Sequence, residues 1–224
     1  MVSIIIPALN EADLIGNTLK AVSETEGEKE VIVVDGGSKD GTVSIAKKFA
    51  RVVKSSPGRG VQMNTGASEA KGDAFLFLYA DTVVPKTAVR LIEEALKDPH
   101  VVGGRFDLGF NNPAFKYRLA EVFINHRGHI TQAWGGDHGT FVRRELFEKL
   151  GGFKEISLMD DIDFVHRLKR CGKVVVLQGI ALTSPRKYEE QSLLKTGFKI
   201  IACRYLYKLG VSSEKLVKLY NIKR

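Results

Sequence analysis

Two groups of carboxylates stand out for where they fall. The apolar run Ala74-Phe-Leu-Phe-Leu-Tyr-Ala-Asp-Thr82 leads into an acid, Asp81, and stops at Pro85. Its length and aromatic content predict a strand covered on both faces, and ligands in such parallel sheets gather at the strands' carboxyl ends. Asp81 is therefore expected at the ligand edge, where a buried strand delivers charge to something charged. The second group, Asp160, Asp161 and Asp163, opens a predicted helix running to Leu168. Acids in a first helical turn ordinarily cap it and oppose its dipole. Asp160 and Asp161 follow apolar Leu158 and Met159, however, so at least one carboxylate is expected to be partly desolvated, its pKa raised toward a general base's working range.

Smaller signals lie around these two. Glu30 to Val34 delivers Asp35 into the turn Gly36-Gly37, before a helix predicted over Thr42 to Ala50. An acid at such a strand end suits a ribose hydroxyl or a base N–H, although the spacing is not the dinucleotide fingerprint and Gly36-Gly37 equally describes a tight turn. Pro7-Ala-Leu-Asn-Glu11 closes the first strand; Asn10 is expected to cap the next helix, with Asp13 completing a capping box. Arg59, between two glycines, has the reach for a phosphate or for solvent. Asn64 and Gly66 fit a ligand or helix packing. Asp137 and His138 follow a Gly135-Gly136 turn, and Arg186-Lys187 are adjacent cations in a segment, Thr183 to Tyr188, that reads as a polar loop.

Buried strands are predicted over Val2 to Ile6, Glu30 to Val34, Arg51 to Ser55 and Phe75 to Leu78, alternating with helices whose apolar residues recur at helical spacing. That alternation calls for an α/β, doubly wound, Rossmann-like sheet with right-handed crossovers and helices on both faces. The second half departs from it, with a longer strand over Val101 to Phe110, a helix over Pro113 to His126, a strand over Gly139 to Arg143 and a buried strand over Val174 to Leu177. A mixed half of this kind supplies a second substrate's site. From Leu193 the chain reads as a helix with Leu194, Phe198, Ile201, Tyr205 and Leu209 in one apolar stripe, flanked by Arg204 and Lys208. Such a basic amphipathic tail fits a surface docked on the domain, a homodimer partner or an anionic membrane.

With 224 residues, one main domain is expected over 1–188, split into halves at about residue 98, with a helical tail over 189–224. The formal charge of +8 resides almost wholly in the tail, where ten Lys or Arg from Arg186 onward face three Glu. The body is nearly neutral, which argues against a nucleic-acid partner. No run of apolar residues is long enough to suggest a membrane span and no signal peptide precedes Ile4, so a cytoplasmic location is expected, with peripheral contact at the inner membrane face for the tail. Cys171 and Cys203 lack metal-ligand spacing and read as reduced thiols.

Taken in order, Ser3-Ile-Ile-Ile-Pro-Ala-Leu-Asn-Glu11, Val31-Ile-Val-Val-Asp-Gly-Gly-Ser-Lys-Asp-Gly-Thr42, Asn64 with Gly66, Phe75-Leu-Phe-Leu-Tyr-Ala-Asp81 and Leu158-Met-Asp-Asp161 resemble the family 2 nucleotide-sugar glycosyltransferases of GT-A fold. Gly58-Arg-Gly-Val-Gln-Met-Asn-Thr-Gly66 and Gly139-Thr-Phe-Val-Arg-Arg-Glu-Leu-Phe147 are similar to a small soluble branch described as selenodomain-associated or arsenosugar-type. The resemblance implies an inverting transfer from a UDP- or GDP-sugar to an acceptor hydroxyl. It implies a donor site of Pro7, Leu9, Glu11, Asp35, Gly37, Arg59, Asn64, Ala80, Asp81, Arg186 and Lys187, and an acceptor side with Asp137 and His138. Asp161 matches the family's base, with Asp160 the neighbouring candidate. Asp81 matches the second acid of an Asp-X-Asp metal motif whose first position is Tyr79 here. Magnesium or manganese (Mg2+ or Mn2+) accepts one or two carboxylates completed by phosphate oxygens and water, so Asp81 alone suffices once donor is bound. A non-catalytic nucleotide-sugar binding protein and a sugar-phosphate nucleotidyltransferase are the competing readings, the latter disfavoured because Pro7 to Glu11 lacks a glycine-rich, basic loop.

Overall fold

A computed structural model of the chain describes residues 1–220, apart from the side chains of Lys187, Glu190, Gln191 and Leu194. Eight strands form one sheet: β1 (Val2–Ala8), β2 (Lys29–Asp35), β3 (Arg51–Lys54), β4 (Ala74–Phe77), β5 (Thr82–Val83), β6 (Val101–Phe110), β7 (Thr140–Arg143) and β8 (Lys173–Thr183). Their spatial order is β3-β2-β1-β4-β7-β6-β8-β5. The first four in this order are parallel, β7 runs antiparallel to both neighbours, and β6 and β8 pair in parallel. The expected doubly wound half is thus joined to a mixed half at β4 and β7.

Alternation along β1 sets up the two faces. Ile4 and Ile6 point toward α1 (Ala12–Ser23) and α4 (Ala88–Ala95), meeting Ile15, Leu19, Val22, Val89 and Ile92. Ile5 points the other way, into a cluster with Met63 of α3 (Arg59–Glu69), Phe147 of α6 (Arg144–Lys149) and Phe164 of α7 (Asp160–Leu168). Period-2 side chains on a sheet with helices on both sides explain why these strands read as unbroken apolar runs. Phe77, Phe147, Phe153 and Phe164 stack in one aromatic group, with Phe153 and Phe164 rings 4.4 Å apart. This packing fixes α7, and with it the acidic turn at the helix's start.

Several boundaries differ from the sequence-based expectations. The helix after β2, α2 (Thr42–Ala46), is shorter than predicted, and α5 (Phe115–Thr131) is longer. β8 has eleven residues, and Val174, Val175 and Val176 are partly or fully exposed, so it is not the short buried strand expected at Val174 to Leu177. The polar loop expected over Thr183 to Tyr188 instead ends β8 and starts α8 (Arg186–Gln191).

Asn10 does not cap α1 either. It takes a left-handed φ of 55° and its Oδ1 accepts from the Lys39 amide, while Ser38, Thr42 and Asp40 accept from the amides of Asn10, Glu11 and Ala12. The loop after β2 does the capping, through space, that a capping box with Asp13 would have done locally.

The tail forms α9 (Leu193–Lys208) and α10 (Ser213–Tyr220). Ile200, Cys203, Leu206 and Leu216 pack on Leu158, Met159 and Ile162. Ser213 Oγ donates to the Leu158 carbonyl and accepts from its amide, so the tail also anchors the entry to α7. The predicted stripe is the opposite face: Phe198, Ile201, Tyr205 and Leu209 are exposed, and Leu194 lies outside the described side chains. Both cysteines are free.

Candidate active site

Register brings the carboxyl ends of β1, β2 and β4 together: Ala8 lies opposite Asp35, and Ile5 opposite Phe77. Beyond that edge opens a cavity of 670 Å³. Its floor is Pro7, Ala8, Leu9 and Glu11 after β1, with Tyr79, Ala80 and Asp81 after β4. Arg59 and Gln62 of α3 form one wall. Gly135, Gly136 and Asp137, then Asp161, close the other end, and Arg186 and Arg204 reach in from α8 and α9. Asp81 and Asp161 therefore face one space.

Asp81 is held by its own turn. Thr82 Oγ1 donates to its Oδ1 at 3.2 Å, and the Ser184 amide to its carbonyl. Burial raises the Asp81 pKa against the opposing pull of Arg186, and burial likewise raises that of Glu11. One Arg186 nitrogen lies 2.6 and 2.7 Å from the two Glu11 carboxylate oxygens and 4.0 Å from Asp81 Oδ2. Two half-desolvated carboxylates sharing one guanidinium make a place for positive charge, with Asp137 adding its own field to Asp81. Among the described residues no three His, Cys, Asp or Glu converge as a preformed metal cage. Hard carboxylate oxygens around Asp81 fit a magnesium or manganese ion that takes its remaining ligands from phosphate and water.

At the other end, Met159 enters α7 with a left-handed φ of 71°, and the helical rotation of about 100° per residue points the two adjacent aspartates in different directions. Asp160 is fully buried and receives a 2.8 Å bond from Arg59 Nη2. Burial raises its pKa, opposed by Arg59. Asp160 is thus the desolvated carboxylate, but its charge is engaged by arginine and it does not line the cavity. Asp161 does. Its Oδ2 accepts from the Gly136 amide at 2.8 Å and its Oδ1 from its own Ile162 amide at 2.7 Å, which fix its orientation and leave lone pairs free to take a proton. Arg59 also lies over the Tyr79 ring, 5.6 Å from its centroid, and the buried Tyr79 hydroxyl has no hydrogen-bond partner among the described residues.

Besides Asp160, four sequence candidates among the described residues, Asp35, Gly37, Asn64 and His138, do not line the cavity. Asp35 folds back on its loop, accepting from the amides of Gly37 and Ser38, and Gly37 supplies the φ of 97° that this turn requires. Asn64 clasps the Phe153 peptide, donating to its carbonyl and accepting from its amide at 2.9 Å each. His138 is buried beneath the sheet, its Nδ1 on the Phe106 carbonyl. Burial, then the nearby Arg105 charge, push its imidazole down to about 3, so it stays neutral. The Lys187 side chain lies outside the described residues.

Sequence reasoning missed Gln62 and Arg204. Gln62 Nε2 donates to the carbonyls of Ala8 and Val34, tying two strand ends at the cavity floor. A polar residue within an apolar helix face was its only signal.

The model of the "Glycosyl transferase family 2" family matches residues 3–151. The chain belongs to this family. A probable glycosyltransferase, YdaM, of Bacillus subtilis (strain 168) is 31% identical over 201 residues, covering 76% of this chain and 47% of that protein. The chain spans about half the length of the relatives it matches. Among solved structures, the mannosyltransferase PcManGT from Pyrobaculum calidifontis, in complex with GDP-Man and Mn2+, superposes with a TM-score of 0.65 at 20% identity, covering 98% of this chain and 69% of that one. TarS 1-349 of S. aureus, in complex with UDP-GlcNAc, gives a TM-score of 0.65 at 17% identity, covering 82% and 58%. The architecture of the family 2 chain is accordingly the GT-A fold.

Proposed function

We propose that this family 2 protein transfers a sugar, with inversion, from a UDP- or GDP-sugar to an acceptor hydroxyl. The observation that carries the proposal is that Asp81 and Asp161 meet in one cavity, one beside an acidic patch that takes positive charge and the other oriented by two backbone amides. In this reading the base and ribose lie along Pro7, Leu9 and Glu11, with Asp35 and Gly37 shaping the adjoining loop. A divalent cation held by Asp81 would offset the charge that develops on the departing diphosphate.

The protein's own groups do the rest. Arg186 leaves Glu11 for the phosphates, which offer it a stronger charge-assisted partner. Arg59 holds Asp160 in its buried pair, keeping that carboxylate out of the reaction. Asp161 takes the acceptor's proton as the oxygen attacks the face opposite the leaving group. We further place the protein near the selenodomain-associated or arsenosugar-type branch, on the Gly58 to Gly66 and Gly139 to Phe147 segments. Residues before about 98 would serve the donor and those to 188 the acceptor.

A nucleotide-sugar panel with and without manganese, read by thermal shift and then by release of nucleoside diphosphate, tests this. Stabilisation by one donor followed by turnover with an acceptor is expected. Binding with no turnover toward any acceptor would favour the non-catalytic binding protein, the reading that Tyr79 at the first motif position supports.

For the tail we propose an anionic membrane surface as the partner, ahead of a second copy of the chain. The exposed Phe198, Ile201, Tyr205 and Leu209 lie among the tail's excess cations. No helix among the described residues is long and apolar enough to cross a membrane.

A further inference from the structure

One arginine lines the Asp161 end of the cavity, and two more, from two other elements, lie behind it within electrostatic reach of one another. Arg204, on α9, lines it; a Cβ built on Gly135 would stand 3.2 Å from Arg204 Nη2, 3.3 Å from Asp161 Oδ2 and 2.8 Å from Asp137 Oδ1. Arg127, half-buried on α5, is close enough to Arg204 that burial and then that like charge push its guanidinium down to about 10. Arg105, on β6, is wholly buried. Its Nη1 serves the Phe106 carbonyl and Asp107, while its Nε and Nη2 find no hydrogen-bond partner among the described residues and Nη2 points at Gly128 of α5.

Among the described residues, three carboxylates lie around these cations. Asp107 is shared between Arg105 and His129, and Asp137 and Asp161 are the cavity's nearby carboxylates. Guanidinium groups crowded together with donors unspent form a cradle for a multivalent oxyanion, whose oxygens can accept from several N–H groups at once. A phosphate fits better than another carboxylate because it spreads its charge over three or more oxygens.

We propose that the acceptor carries a phosphate, received by Arg204 and Arg127 with Arg105 behind them, so that its nucleophilic hydroxyl is presented to Asp161. The word acceptor rests on the transferase reading above; the phosphate site does not. A distant anchor of this kind fixes the hydroxyl's approach, which is how binding away from the reacting atoms is turned into rate.

Inorganic phosphate titrated into the full chain by calorimetry, with the donor side saturated by UDP, tests the site. Wild type is expected to bind it, and Arg204→Gln and Arg127→Gln each to weaken it by about ten- to a hundredfold while UDP affinity holds. Arg204→Lys, which keeps the charge, should recover part of the loss, separating a lost contact from a damaged fold. Failure of phosphate to bind the UDP-saturated protein, or binding by both glutamine variants as tight as that of wild type, would overturn the proposal. Should UDP itself not bind, the donor assignment fails, and loss of phosphate binding in Arg204→Gln still reports on the cradle. Vesicles containing phosphatidic acid distinguish the source. Retention that phosphate competes away and Arg204→Gln abolishes assigns the group to a lipid; phosphate binding without such retention assigns it to a soluble molecule; each sustains the site.

Discussion

Arg59 and Asp160, 101 residues apart, form a 2.8 Å ion pair that joins the start of α3 to the start of α7. The pair holds Asp160 buried, while the adjacent Asp161 lines the cavity. Removing Arg59 would leave a buried carboxylate uncompensated, a change that costs several kcal/mol in fully buried pairs. Because the Arg59 side chain is 40% exposed, Arg59→Ala should cost less, about 2 kcal/mol by urea denaturation. Adding Asp160→Asn to it should restore part of that loss, and strict additivity of the two would show that the pair carries no coupling.

Asp161 should show the opposite profile. Asp161→Asn keeps an acceptor for only one of the Gly136 and Ile162 amides and cannot take a proton, while the donor-side residues are untouched, so donor affinity should stay near wild type while turnover falls by at least about a hundredfold. Comparable turnover in the two proteins would move the base elsewhere.

His138 gives the fold a pH dependence. Its imidazole is held at about 3 in the folded protein against 6.5 ordinarily, so below pH 6.5 the unfolded chain binds a proton that the folded one refuses. The stability is fully present above 6.5 and is lost as pH falls toward 3, about 2 kcal/mol of it by pH 5. Denaturation at pH 7 and pH 5 should show that loss in wild type and a smaller one in His138→Gln.

The exposed face of α9 predicts co-sedimentation with anionic vesicles, weakened by salt and by replacing Phe198 and Tyr205 with serine. Equal partition of wild type and the double variant would remove the membrane from the account, and concentration-dependent association without lipid would put a second copy in its place.

Much of this was legible in the sequence where burial dictates residue type. β1, β2 and β4 are covered on both faces, so their apolar runs announced both the strands and the edge at which Asp81 emerges. The acidic turn opening α7 was equally plain. Which aspartate turns inward was not, because it depends on how α7 docks on the sheet and on an arginine 101 residues away. Asn10, Asn64 and His138 have side chains that suit a ligand or a peptide equally well, and only the third dimension showed loop Ser38 to Thr42, Phe153 and Phe106 as their partners. The tail helix is apolar on two sides, so its spacing could not say that Cys203 and Leu206 face inward and Phe198 outward. Arg204 carried no local signal, since its place in the cavity follows from where α9 docks.

The central claim is that Asp81 supports a cation-bound diphosphate in the cavity that Asp161 serves. Calorimetric titration of manganese and a UDP- or GDP-sugar into wild type and Asp81→Ala tests it most directly. Manganese should strengthen donor binding by wild type, and Asp81→Ala should lose that enhancement while remaining folded. Equal, manganese-dependent affinity in both proteins would contradict it.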